Sequence, residues 1–206
     1  VLDDAGKRLG PGRNFLGLTK FASADYAVFC DQDDIWFEKK LEALVAFADR
    51  EFEREIPSLV YCDGYAYSSE LGVIARGSIS RIHAQDLCGF LFLNAGYQGC
   101  SMLFNRPLYT LAANYRADYY YMHDDVVSLL AHTFGKVNFL PKQLMFYRQH
   151  DANVTAHISS GWRNFLKRCV DRGRPVISSK HYEEKASFYR AYAQDLSPEA
   201  RRLFEA

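Results

Sequence analysis

The chain has 206 residues, 25 basic against 25 acidic side chains, and 49% hydrophobic residues. Zero net charge excludes a bulk electrostatic grip on nucleic acid, and the apolar content excludes a disordered chain. Length alone suggests one domain with an appendage, and no apolar run reaches the roughly 18 to 20 residues of a membrane span.

In chain order, residues 10–14, GPGRN, predict a loop that opens the helix FLGLTKFASA. ADYAVFC, rich in aromatic and β-branched residues, predicts a buried strand that runs straight into Asp31, Gln32, Asp33 and Asp34. Leu41, Leu44, Val45 and Ala48 then recur at helical spacing, Pro57 ends that helical region, and SLVYCDGYAYS predicts a second strand. Residues 70–95 predict a loop and a helix; the apolar run Leu87 to Ala95, broken by Gly89 and Asn94, reads as core. GCSMLFNRPLYTLAAN predicts a strand, a turn at Asn105 to Pro107 and a helix.

Asp124 and Asp125 open the next helix, where their charges suit its dipole. Val126, Val127, Leu130 and Phe134 form its buried side, with Gly135 as C-cap. KVNFLPKQLMFYRQH predicts one or two short strands ending in a basic, aromatic cluster. Strands and helices alternate, so the expected class is a layered α/β fold.

Residues 157–206 carry ten basic and six acidic groups, and the remainder carries the compensating acidic excess in short clusters. In this tail Trp162, Phe165, Leu166 and Cys169 share a face beside Arg163, Lys167 and Arg168. Either a helix packed on the domain with a solvated basic rim, or a helix on an anionic membrane surface, fits that pattern. Residues 180–206 predict a further helical segment.

Cys30, Cys62, Cys88, Cys100 and Cys169 include no C-x-x-C pair, so neither a zinc knuckle nor a disulfide framework is expected. Small core cysteines suit a reducing, cytoplasmic compartment. The start has no basic head followed by an apolar stretch, hence no secretory signal, and no initiator Met, which leaves room for an upstream portion.

The sharpest chemical feature is CDQDDIW after a strand. Three carboxylates within four positions repel one another, and a hard, oxygen-seeking divalent cation would offset that repulsion and hold phosphates. The C-terminal edge of a sheet is where α/β folds bind ligands. The alternative is that Asp33 or Asp34 merely caps the helix that follows. His123-Asp124-Asp125 offers a carboxylate that could act as general base or simply cap its helix. In YRQHDANVT, Arg148 presents a permanently charged fork suited to phosphate oxygens and His150 a nitrogen suited to a metal.

Taken in order, GRNFLGL, ADYAVFCDQDDIWFEKKL, GCSMLFNR and MHDDVVSLLAHTFGKVNFLPKQLMFYRQHDANVT closely resemble the family 2 glycosyltransferases. The likeness covers about residues 9 to 156 and is nearest to the bacterial rhamnosyltransferase-like branch that builds O-antigen and related surface polysaccharides. It implies an A-type glycosyltransferase (nucleotide-diphospho-sugar transferase) fold. Residues 1–156 would be its catalytic domain, partial at the N-terminus, and 157–206 a helical tail. It implies metal-dependent inverting transfer, with Mn²⁺ or Mg²⁺, from a nucleotide-diphosphate sugar (dTDP-rhamnose at the level of the branch) to a glycan or lipid-linked glycan. Peripheral contact with the inner face of the cytoplasmic membrane would run through the tail.

Residue by residue, the resemblance makes Asp31, Asp33 and His150 metal ligands, and Asp124 the catalytic base. Arg13, Asn14, Asp31, Asp34 and Arg148 become donor contacts, and Trp36, Gly99, Cys100 and Ser101 the acceptor side. Asp125 stands where many relatives carry a large aromatic residue, which leaves the choice of base between Asp124 and Asp125; the spacing to Gly135 favours Asp124. Relatives begin with a nucleobase-binding strand, loop and helix far upstream of the D-x-D. Asp31 is only thirty residues from the start, so that section is expected to be missing and the fragment to be poorly active. Two other readings stand beside this one. A haloacid-dehalogenase-like phosphatase also places D-x-D after a strand, though Ile35 and the lack of a G-D-x-x-x-D block argue against it. A non-catalytic carbohydrate- or partner-binding fragment is the other.

Overall fold

The computed structural model describes residues 9–80, 82–93, 97–149 and 179–206. Helix α1 (Gly10–Leu18) runs into a 3₁₀ turn over Thr19–Phe21. GPGRN is therefore not a loop: Pro11 sits in the first turn of the helix, where an absent N–H leaves no bond unmade. Strand β1 (Tyr26–Val28) follows, then the short β2 (Ile35–Trp36) and helix α2 (Lys40–Glu51). The capping alternative for the acids fails here, because β2 intervenes and the N-cap of α2 is Lys39, without a side-chain cap bond.

Strand β3 spans Ser58–Ser68 and returns through β4 (Val73–Arg76). β4 escaped the sequence reading because it is largely exposed and carries no alternating pattern. Helix α3 (Leu87–Leu93), a 3₁₀ turn over Gly99–Ser101, β5 (Met102–Asn105) and α4 (Arg106–Ala113) come next. No turn separates β5 from α4: Asn105 ends the strand and caps the helix, its side chain accepting from the Leu108 N–H. Helix α5 (His123–Phe134) leads into β6 (Lys136–Gln149), and α6 (Ser179–Tyr192) and α7 (Pro198–Glu205) close the described chain. β6 is one strand rather than two. Its register against β3 jumps from Cys62↔Leu140 to Asp63↔Gln143, so Pro141 falls in an irregularity where no ladder N–H is required.

The sheet order is β1-β5-β3-β6-β2, with β4 pairing on β3. Only β3 and β6 run parallel; the other pairs are antiparallel. β3 has both faces buried, and alternation divides it between two cores. Leu59 and Tyr61 join Met102 and Phe104 of β5 beneath Leu108, Val126, Leu130, Phe188 and Tyr192 of α4, α5 and α6. Val60, Cys62 and Leu103 meet Leu44 and Ala48 of α2 on the opposite face. The helical segment predicted at the C-terminus thus completes the larger core. No described helix is long and apolar enough to cross a membrane.

Gly135 does occupy the C-cap of α5, but at φ −158° rather than in a left-handed conformation. Its requirement is space: a Cβ there would lie 1.8 Å from the Pro57 carbonyl oxygen, which accepts the Lys136 N–H at 2.9 Å. Gly135→Ala is therefore expected to destabilise the fold by about 3 kcal/mol, read as a lower denaturant midpoint with unchanged slope.

Candidate active site

The site forms where β1 ends. Beyond Val28 the chain turns back on itself, the Asp34 N–H reaching the Asp31 carbonyl at 3.5 Å. Ile35 and Trp36 then pair with Phe146 and Met145 of β6. That pairing lays the acidic loop along the end of β6, where the Arg148 N–H donates to Asp34 Oδ1 at 3.0 Å. Asp31, Asp34 and Cys100 each bring one ligand-capable atom within 4.8 Å of the others. Asp33 stands beside this group rather than in it, and its charge bears on both Asp31 and Asp34.

Burial pushes the Asp31 carboxyl up from 3.8 to about 6, and the charges of Asp34 and Asp33 push the same way. Burial also raises Asp34, against the Cys100 thiol and the Arg148 amide, which favour its ionised form. The Cys100 thiol is buried and held well above its ordinary value, first by desolvation and then by Asp34, so it sits among the carboxylates as a protonated donor. Two oxygen donors in mutual repulsion, with Asp34 Oδ2 sealed from solvent and without a hydrogen-bond partner, suit a hard divalent cation.

One cation is already built in. Lys40 is 1% exposed, and its ammonium donates to the Cys100 carbonyl and lies 3.8 Å from the centre of the Trp36 ring. Burial lowers its pKa, and Asp34 is among the charges that oppose this. Lys40 was not singled out in the sequence, yet it lies four residues before Leu44 and eight before Ala48, on the same inward row.

The turn at Gly99–Ser101 joins these acids to a second carboxylate. While Cys100 faces Asp31 and Asp34, the neighbouring Gly99 N–H donates to Asp124 Oδ2 at 3.2 Å. The other oxygen of Asp124 accepts from the Asp125 N–H at 3.1 Å. Burial, followed by the Asp125 charge, pushes the Asp124 carboxyl up. Gly99 has no room for a side chain, since a Cβ would lie 2.8 Å from His123 Nε2. His123 is stacked 4.6 Å from Phe15 and held down to about 4 by burial, so it contributes no positive charge near neutral pH.

The remaining sequence candidates are dispersed. Trp36 packs with Ala66, Ile79, Cys100, Met145 and Tyr147, and its indole N–H is buried without a partner. The Ser101 hydroxyl is spent on the turn, donating to the Gln98 carbonyl at 2.7 Å. Arg13 and Asn14 are exposed on α1, whose Gly12 packs against the backbone of Tyr121 and Met122; the Arg13 charge bears on Tyr120. His150 and the aromatic and basic residues from Trp162 to Cys169 lie outside the described residues.

Residues 4–110 match the family described as Glycosyl transferase family 2. The chain is also 28% identical over 176 residues to "dTDP-rhamnosyl transferase RfbG" of Shigella flexneri, covering 77% of this chain and 56% of that protein. The chain thus spans about half the length of that curated relative. The family match takes in Asp31, Asp34, Lys40 and Cys100 and ends before α5. It sets aside the phosphatase alternative.

Because the folded Asp31 favours its protonated form, its contribution to stability is full below its unfolded value of 3.8 and is lost as pH rises through about 6. Without added divalent ions, Asp31→Asn should flatten the fall in thermal midpoint across this window. It should also raise the midpoint by about 3 °C at neutral pH, checked by melting curves at several pH values.

Proposed function

The chain belongs to glycosyl transferase family 2, and from that premise we propose that it is the transfer-site portion of an enzyme that moves a sugar from a nucleotide-diphosphate donor to a glycan. The observation that carries this reading is the Gly99–Cys100 junction. Through it one turn of backbone sets the Asp31 and Asp34 carboxylates on one side and the Asp124 carboxylate on the other.

Asp124 is the proposed base. A carboxylate taken partly out of water holds a proton more tightly than one in solvent, which suits it to accept one from a hydroxyl near neutral pH. The Gly99 N–H fixes one of its oxygens and the Asp125 N–H the other, so the carboxylate has little freedom to swing away from an incoming hydroxyl. Attack from this side and departure of the diphosphate from the other make the displacement an inverting one.

Asp31 and Asp34 would hold a Mn²⁺ or Mg²⁺ ion, with Asp33 and His150 as the further ligands implied by the family pattern. When bound, the ion supplies compensation for the charge that develops on the departing phosphate oxygens. Arg148, whose backbone N–H donates to Asp34, is proposed to meet the same oxygens. Arg13 and Asn14 are proposed to meet the donor from the α1 side, and Trp36 and the Gly99–Ser101 turn to line the path of the acceptor. The donor proposed is dTDP-rhamnose, carried over from the dTDP-rhamnosyl transferase of Shigella flexneri. The acceptor class is a bacterial surface polysaccharide under construction.

Asp124→Asn should lower release of dTDP from dTDP-rhamnose by about 10³-fold while leaving donor binding by titration calorimetry unchanged. Unaltered turnover would remove Asp124 from the mechanism. Asp34→Asn should abolish binding of Mn²⁺, followed by calorimetry without nucleotide. Affinity of the unsubstituted protein should climb as pH rises through about 6, because the ion competes with the proton on Asp31.

A further inference from the structure

Helix α6 lies beyond the family match, yet it grips the segment that delivers the base. The Arg116 N–H donates to the Tyr192 hydroxyl at 3.0 Å, the Tyr119 N–H to Ser187 Oγ at 3.1 Å, and the Tyr121 N–H to Glu184 Oε1 at 3.1 Å. Residues 116–121 form neither helix nor strand, so these amides have no ladder of their own. Three side chains along one helix supply their acceptors instead. Glu184 and Ser187 are 2% and 3% exposed, while Phe188 and Tyr192 of the same helix are buried in the larger core. The clamp is therefore anchored in packing.

Three further contacts fasten it at its ends. His181 Nε2 lies 3.6 Å from Asp125 Oδ2, one residue beyond the base. At the other end Arg116 pairs with Asp195 and lies over the Tyr192 ring at 4.3 Å.

We propose that Glu184 is a positioning residue of the transfer reaction: by holding the Tyr121 amide from α6 it fixes where α5 begins and hence where Asp124 points. This rests on the reading that Asp124 takes the acceptor proton. Only one residue, Met122, separates Tyr121 from the first residue of α5, so slack at Tyr121 passes directly to the turn that carries Asp124. The surroundings of Glu184 also couple it electrostatically to the base. Asp124 and Asp125 face it from α5, Lys185 from its own helix, and Tyr115 from just before the clamped segment, while His181 of the same helix faces Asp125. Burial and the Asp125 charge push its carboxyl up.

The test uses the full chain and three variants, Glu184→Ala, Glu184→Gln and Ser187→Ala. Hydrogen exchange reads the amides of residues 116–122, and release of dTDP from dTDP-rhamnose reads the rate across pH. Glu184→Ala should lose protection at Tyr121 and lower kcat about tenfold at unchanged KM for the donor. Glu184→Gln, whose amide oxygen still accepts, should restore both. It should leave the acid limb of the rate profile in place, because burial already keeps the Glu184 carboxyl protonated there. Ser187→Ala should show a partial loss of both protection and kcat.

Glutamine as damaging as alanine, or full protection and an unmoved kcat in both Glu184 variants, would overturn the proposal. If Glu184→Ala does not fold, Glu184→Gln and Ser187→Ala decide it on the same two readouts. Continued turnover by Asp124→Asn would instead defeat the base assignment; the exchange result at Tyr121 would then stand or fall separately.

Discussion

Like charges forced together out of water govern the functional side of this protein. Asp31 and Asp34 are drawn inward because β2 must pair with β6 and because the loop between β1 and β2 is short. The backbone thus dictates a proximity that the carboxylates alone would avoid. Three devices make it tolerable: a protonated thiol from Cys100, an amide from Arg148, and the ammonium of Lys40 behind them. Each is supplied by a different part of the chain, so the acidic loop draws its support from the sheet and from α2 together. Uncompensated, a pair of half-buried carboxylates favours protonation; that tension leaves the site responsive to a cation.

The same logic extends to the second carboxylate. Asp124 sits at the start of α5, where a helix favours negative charge, yet Asp125 crowds it with charge of its own sign. The Gly99 amide meets it from the sheet side and α6 closes the other. A single 3₁₀ turn links the two acidic centres, so a displacement at Gly99 is felt in both. The lack of room for a Cβ beside His123 keeps that turn pressed against α5.

Much of this was legible in the residues. The second predicted strand coincides with β3, since every second side chain of Leu59 to Cys62 points into a different core. The start of α5 was legible from paired acids before an apolar row. The capping alternative for Asp33 and Asp34 could not be dismissed from sequence, because a two-residue strand such as β2 has no periodicity to detect. Lys40 and Glu184 show a different failure. Both are charged residues four positions before an apolar one on an inward helical row, Leu44 and Phe188, and both are buried. Reading periodicity only through hydrophobic residues hides them, although their spacing gives them away. The three backbone hydrogen bonds donated to α6 could not have been inferred at all, since they join segments some seventy residues apart.

The four described cysteines fall into two pairs by access: Cys62 and Cys100 are sealed, whereas Cys30 and Cys88 face solvent. Alkylating reagents attack thiolates that they can reach, so gentle labelling would spare the thiol packed among the carboxylates and mark Cys88 and, one residue before Asp31, Cys30. A small fluorophore attached to Cys30 would then ride on the rim of the acidic loop and respond to whatever enters it, leaving the interior chemistry untouched.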